Sequence, residues 1–215
     1  SSDLCMLGIH DLALFIVSGL LLNMMPGPDS LLIMLRSGSQ GWRAGSVAAL
    51  GIGTGTMVHV LAAALGLSAL LSASAELFAI IKLMGALYLV YLGVSLLRQG
   101  VSSPVASEPA VLQPALSYGR IFRQGLLTNL LNPKVALFFL AFVPQFIAPD
   151  APQKALAFIV LGCIFNLNGM IWCHLLAFST AYASRKVRLP ARVGTWLNRL
   201  MGGLFVGLGI KLATE

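Results

Sequence analysis

Apolar residues fill six stretches of this chain almost without interruption, at approximately 12–35, 44–71, 77–97, 121–147, 154–183 and 195–213. Each is near or above the ~20 residues that a helix needs to cross the hydrocarbon core of a bilayer. None alternates polar and apolar positions with the period of two that a barrel strand shows, and helices are the other way to satisfy a backbone in lipid. The pattern predicts an all-α membrane protein of six transmembrane helices, with no soluble domain of useful size. Between the third and fourth stretches, Val101–Ser117 collects Ser102, Ser103, Pro104, Ser107, Pro109 and Pro114, the composition of a flexible connection.

The two sets of three spans carry matching sequence. Gly19-Leu-Leu-Leu-Asn23-Met-Met-Pro26-Gly27-Pro28 returns 106 positions later as Gly125-Leu-Leu-Thr-Asn129-Leu-Leu-Asn132-Pro133-Lys134. Lys82-Leu-Met-Gly-Ala-Leu-Tyr88 returns as Arg199-Leu-Met-Gly-Gly-Leu-Phe205, offset by 117. Residues 1–100 are therefore expected to form one three-helix repeat, 101–117 a cytoplasmic linker and 118–215 a second repeat, together one transmembrane domain. Three is odd, so the second copy enters the membrane from the opposite side. The expected fold is an inverted 3+3 repeat with broken first and fourth helices. Paired Gly/Pro-interrupted segments at corresponding places in two halves point to a binding site at their interface, as in secondary transporters.

Composition agrees with the pattern. Hydrophobic residues make up 58% of the chain and charged residues 10%, where ordinary soluble proteins carry about 25% charged. The first apolar run lacks a basic leader, follows Asp3 and Asp11, and ends in Pro-Gly-Pro rather than a small-residue cleavage site, so it is read as a retained span. The formal charge of +7 suggests nucleic acid until the basic residues are placed. Arg36, Arg43, Arg98, Arg120, Arg123, Arg185, Lys186, Arg188, Arg192 and Arg199 all fall on one side of six alternating spans. By the positive-inside rule that side is cytoplasmic, both termini lie outside, and no nucleic-acid partner is expected. The expected location is a bacterial inner membrane. Cys5, Cys163 and Cys173 make neither a CxxC pair nor metal-ligand spacing, which argues against a thiol–disulfide enzyme and against a resident metal.

The breaks carry the candidate chemistry. A proline inside a helix removes one N–H and displaces the carbonyl four residues back. Pro26 frees the carbonyl of Leu22, Pro28 that of Met24 and Pro133 that of Asn129. Such groups cost several kcal/mol each in hydrocarbon unless buried or hydrated. Asn23 and Asn129 stand about one turn before the breaks, where their amides could satisfy them, and Gly27 lets the chain bend between two prolines. Asp29 lies about two turns, ~10 Å, before Arg36, and Lys134 near the middle of the fourth span. Ionisable residues at such depth usually face an interior cavity and mark pathways or proton relays, although an Asp29–Lys134 pair could also simply hold two helices together.

Other polar positions carry less. His59, Asn166, Asn168 and His174 could line the pathway, and interhelical hydrogen bonding accounts for them as well. Gly51-Ile-Gly53-Thr-Gly55 lies within an apolar span with no preceding strand, so close helix packing is expected rather than phosphate binding. Trp42, Tyr118 and Trp196 near span ends fit interfacial anchoring. Glycine-rich faces could pack between chains as well as within one, which leaves a homo-oligomer open.

At Asn23-Met-Met-Pro-Gly-Pro-Asp29 and Asn129-Leu-Leu-Asn-Pro-Lys134 the chain closely resembles the LysE/RhtB family of bacterial amino-acid exporters. The resemblance extends through Gly-Trp-Arg-Ala-Gly45 and Gly85-Ala-Leu-Tyr-Leu-Val-Tyr-Leu-Gly93 to nearly the full length. It implies export of amino acids from the cytoplasm, generally driven by the proton gradient. It also implies a pathway around Asn23, Pro26, Gly27, Pro28, Asp29, Asn129, Asn132, Pro133 and Lys134.

The expected function is therefore secondary active transport by alternating access, with amino acid and protons as partners, no catalytic residue and no cofactor. Freed backbone groups and Lys134 would hold the α-carboxylate, and Asp29 would face the α-ammonium or carry the coupling proton. A small neutral substrate such as threonine, homoserine or leucine is favoured, because a basic side chain would need a second buried carboxylate and Asp29 is the acid well inside a span. Export of lysine or arginine, or of a small metal cation, is the alternative; clustered Asp, His or Cys ligands for the latter are missing from the sequence.

Overall fold

The computed structural model describes residues 7–73 and 115–183, together with single helical positions from Ile80 to Arg98 and from Arg199 to Ile210. The linker 101–114, Glu76, Lys82, Gly85, Trp196 and the basic residues 185–192 lie outside the described residues. All the regular structure described is helical: α1 (Leu12–Met24), α2 (Pro28–Gln40), α3 (Trp42–Ala73), α4 (Tyr118–Leu130), α5 (Pro133–Leu137) and α6 (Lys154–Ala183). A π-helical turn, Phe138–Phe142, and a 3-10 turn, Val143–Phe146, continue α5.

Helices α3 and α6 are each long and apolar enough to span a bilayer. The first and fourth spans are broken, as their prolines predict: α1 meets α2 at a bend of 55°, and α4 meets the segment from Pro133 to Phe146 at 49°. The first break is an open stretch of Met25, Pro26 and Gly27 with no side-chain cap on α2. At Gly27 the expectation needs correcting. Its φ of −162° is ordinary extended backbone that any residue adopts, so the two prolines make the bend. What glycine leaves is bare backbone beside the Lys134 ammonium, 3.4 Å from where a Cβ would sit. A true glycine turn occurs at Gly41 between α2 and α3, where φ is +86°.

Packing fixes the chain directions. Gly51 of α3 lies against Phe122, and Gly55 against Leu126 and Asn129, so α3 and α4 run parallel. Trp42 stacks on Phe178 at 4.7 Å while Gly162 faces Val60, so α3 and α6 are antiparallel. The first and fourth spans are antiparallel: Ile9 bridges Ile147, Phe15 packs edge-on to Phe146 at 5.2 Å, and Asp29 reaches back to Asn129. The matching segments thus run in opposite senses, and their two breaks face each other at the crossing. Because α3 and α4 are parallel, Ala73 and Tyr118 stand at opposite ends of the bundle. The helical positions from Ile80 to Arg98 fall between them in the chain.

The glycine run on α3 does serve close packing. A Cβ on Gly55 would come within 2.9 Å of Asn129, and one on Gly51 or Gly125 would strike the facing backbone. The two ends of the bundle differ. One carries Arg43, which lies 5.5 Å over the Trp42 ring, with Arg120 and Arg123 at the start of α4. The other is filled by Phe15, Phe138, Phe139, Phe142, Phe146 and Phe165, all buried. A short clasp seals that aromatic end: His10 N donates to Phe146 O at 3.1 Å, and Ala148 N to Gly8 O at 2.8 Å.

Candidate functional site

Where the two broken spans cross, the second break supplies donors and the first supplies acceptors. Asn129 Nδ2 donates to Asp29 Oδ2 at 3.0 Å, and Asn132 Nδ2 donates to the same oxygen at 3.1 Å. Both amides are held in that sense from behind. Thr56 Oγ1 donates to Asn129 Oδ1 at 3.4 Å, and Asn132 Oδ1 accepts the backbone N–H of Lys134 at 3.1 Å. Asn132 is thus the N-cap of α5 as well as a ligand of Asp29. Asp29 Oδ2 is saturated, whereas Oδ1 is buried without a partner.

Two of the freed carbonyls, those of Leu22 and Asn129, find donors, but not the expected ones. Lys134 Nζ donates to Leu22 O and to Met25 O, each at 3.2 Å, and so takes the carbonyl that Pro26 releases. The carbonyl of Asn129, released by Pro133, lies 3.2 Å from His59 Nε2 and also accepts Asn132 N at 3.0 Å. A carbonyl only accepts, so His59 carries its hydrogen on Nε2 in this contact. The amides of Asn23 and Asn129 go elsewhere: Asn129 to Asp29, and Asn23 weakly to Phe165 O at 3.5 Å. Both amides turn away from their own helices, to Asp29 and to Phe165, while a long lysine on the facing span reaches the exposed carbonyls of the first break. Asp29 and Lys134 make no salt bridge; among the described residues the one recorded is His10–Asp11 at 3.2 Å. The simple ion pair between the two breaks is therefore corrected to two separate polar contacts.

A cavity of about 30 Å³ adjoins this network, enough for roughly two waters. Asn23, Asp29, Ser30, Thr56, Asn129, Lys134 and Asn166 make its polar lining, and Leu22, Ile52, Val135, Phe165, Met170 and Cys173 its apolar lining. Ligand pockets for small molecules run to roughly 300–1,000 Å³, so this conformation is closed. Pro26, Gly27, Pro28, Asn132 and Pro133 shape the crossing without lining the cavity. Of the weaker candidates, Asn166 lines it and His59 braces it from α3. Asn168 does not line it, and its Nδ2 is buried without a partner. His174 folds back onto the Met170 carbonyl at 2.8 Å.

Sequence reasoning missed Ser30, Thr56, Gly53, Gly169, Met170 and Cys173. Gly53 and Gly169 give the readable signal, since a Cβ on Gly53 would meet Met170 Sδ at 2.6 Å and one on Gly169 would meet Asn23 Oδ1 at 3.1 Å. These glycines bring cavity side chains close to the backbone. Among the described residues no group of three or more His, Cys, Asp or Glu lies together in a way that could hold a metal ion.

The family model for LysE type translocators matches residues 20–215. The chain belongs to the LysE type translocator family. Over 211 residues it is 36% identical to an uncharacterized membrane protein of Pseudomonas aeruginosa, covering 97% of both chains. It is 32% identical over 207 residues to the leucine efflux proteins of Salmonella typhimurium and Salmonella choleraesuis, covering 96% of each. No solved structure matches the chain. This LysE type translocator is thus an all-helical, multi-pass membrane protein whose two proline breaks meet at one buried polar crossing.

Proposed function

We propose that this translocator exports a neutral amino acid with an apolar side chain, leucine being the first candidate, from the cytoplasm in exchange for protons. The observation that carries the reading is the Asp29 carboxylate, half-buried at the crossing, with one oxygen saturated by two amides and the other buried without a partner. A fixed anion with one free oxygen suits an α-ammonium, or a proton when the substrate has left. The apolar lining of Leu22, Ile52, Phe165 and Met170 suits an aliphatic side chain and offers nothing to a cationic one. The efflux proteins of Salmonella, similar over nearly the full length, are named for leucine.

The α-carboxylate requires donors, and Lys134 supplies them. Its Nζ bonds two carbonyls in the closed state; with three hydrogens it can turn one toward an arriving carboxylate without leaving both carbonyls bare. In the exchange, Asp29 takes a proton while open to the outside and yields it as the substrate ammonium binds from the cytoplasm. The basic end of the bundle is the cytoplasmic one in this reading, by the positive-inside rule. The aromatic cluster is then the outer gate, and the two inverted halves rock about the crossing to expose Asp29 to each side.

Counterflow in proteoliposomes tests this. Vesicles loaded with mixed unlabelled amino acids and given a pH gradient should release leucine, or a close aliphatic relative, in proportion to that gradient. Release that ignores the gradient would remove the proton from the scheme. No amino-acid release from folded protein would remove the whole reading.

A further inference from the structure

Helix α2 carries a second charge on the same stripe as Asp29. Asp29, Ile33, Arg36 and Gln40 are spaced by four, three and four residues, which places them on one face of the helix. Both ends of the stripe are fixed against the fourth span. Asp29 is held by Asn129, while Gln40 Nε2 donates to Leu116 O at 3.0 Å and its Oε1 accepts Leu116 N at 3.1 Å. Arg36 therefore stands in the seam between α2 and α4, about level with Ile121. It is only 5% exposed, and its Nε is buried without a hydrogen-bond partner.

The facing helix carries a complementary orphan. Gln124, one turn along α4 from Ile121, has a buried Oε1 with no donor. Side chains on a helix lean toward its own N-terminus. In this antiparallel pair Arg36 leans toward the level of Gln124, and Gln124 leans toward the level of Arg36. The register of α2 against α4 thus puts the unpaired Arg36 Nε and the unpaired Gln124 Oε1 at neighbouring levels of the two helices. A guanidinium whose Nε is buried without a partner is costly in a bundle, and buried charges inside spans are kept where a pathway uses them.

We propose that Arg36 and Gln124 form a receiving site for the zwitterionic head of the substrate, on the basic-end side of Asp29. The guanidinium takes the α-carboxylate and Gln124 Oε1 takes the α-ammonium. Arg36 and Asp29 are seven residues apart, about 10 Å along the helix, farther than the two charges of one amino acid can reach. The substrate therefore meets them in turn, first at Arg36 and then at the crossing. This rests on the amino-acid reading of the central site.

Inverted membrane vesicles expose the cytoplasmic face and allow both ideas to be separated. Uptake of leucine is measured at varied concentration, with leucinamide, which lacks the carboxylate, as competitor. Wild-type protein should prefer leucine over leucinamide. Arg36→Met should raise half-saturating leucine about tenfold or more, keep the maximal rate within about twofold, and narrow that preference. Arg36→Lys should fall between. Gln124→Leu leaves the charge untouched and should weaken leucine about threefold while sparing inhibition by 4-methylpentanoate, which has no ammonium. It also keeps the test decisive if Arg36→Met fails to fold.

Unchanged half-saturation and unchanged leucine preference in folded Arg36→Met protein would overturn the receiving site while leaving the exporter intact. Uptake that instead becomes insensitive to anionic lipid in Arg36→Met, at unchanged leucine affinity, would assign the guanidinium to a lipid phosphate and overturn it as well. No amino-acid uptake by the wild type would remove the exporter reading and this inference together.

Discussion

The two proline breaks descend from one motif, yet the structure gives them opposite polarity. The first presents acceptors: the carbonyls of Leu22 and Met25 and the carboxylate of Asp29. The second presents donors: the amides of Asn129 and Asn132 and the ammonium of Lys134. Counted by the offset of 106, Asn132 replaces Pro26, Lys134 replaces Pro28, and Val135 stands where the first half has Asp29. With Pro133 for Gly27, all four positions of this stretch differ, and the differences make a self-similar pair complementary. The first break is also the looser, an extended stretch without a cap, while the second closes on its own Asn132 cap. An inverted repeat with two identical breaks would place like groups face to face; divergence lets each half satisfy the other and still leaves one oxygen of Asp29 open.

The comparison breaks most severely at Asp29. Asp29→Asn keeps the volume but removes the only charge on the acceptor side, so leucine flux in proteoliposomes should fall on the order of a hundredfold. Folding should be little affected, since an amide oxygen can still accept from Asn129. Flux near the wild-type level with unchanged pH dependence would remove Asp29 from both roles assigned to it.

Lys134→Met attacks the donor side and should act on stability first. The carbonyl of Met25 loses the donor that reaches across from the other half and that of Leu22 keeps only Met25 N at 3.3 Å, at a cost of about 2–4 kcal/mol. A drop of several degrees in Tm in detergent, partly recovered by Lys134→Gln, is the expected reading. A Tm equal to wild type would show that the first break does not depend on the second.

Asn132 sharpens the comparison, because it serves two helices. Asn132→Ala loses the α5 cap, worth about 1 kcal/mol, together with one donor to Asp29. Asn132→Asp restores the cap but sets a second carboxylate against Asp29, so it should transport less than Asn132→Ala while melting no lower. The opposite order of transport would mean that the amide orientation is reversed.

Much of this arrangement was legible in the chain, for reasons that differ by residue. The broken spans, their inverted relation and the place of Asp29 and Lys134 follow from proline chemistry and from counting three spans per half, which are local rules. The partners of the freed carbonyls were not legible. They depend on which helix lies opposite, and Lys134 and His59 reach them from 112 and 70 residues away. Asn23 looked equivalent to Asn129 because their surroundings in sequence match, yet only Asn129 faces a carboxylate. Met170 and Cys173 read as ordinary apolar residues of a span, and only the packing of α6 against α3 turns them toward the cavity. Arg36 looked like a positive-inside marker, and its burial came only with the seam between α2 and α4.

The smallest expected effect tests the bracing of the second break from α3. His59 Nε2 meets the Asn129 carbonyl at 3.2 Å, but that carbonyl also accepts Asn132 N at 3.0 Å, so the histidine is not its sole donor. Removing it with His59→Phe should therefore cost only about 1 kcal/mol, far less than Lys134→Met. His59→Gln can place an amide N–H near the same carbonyl and should recover most of the loss. If His59→Phe instead abolishes flux while Tm is preserved, the imidazole does more than brace a carbonyl, and the two breaks differ in their chemistry as well as their support. If it lowers Tm as far as Lys134→Met, the second break leans on α3 as heavily as the first leans on Lys134. The asymmetry between a self-capped break and a borrowed one would then be lost.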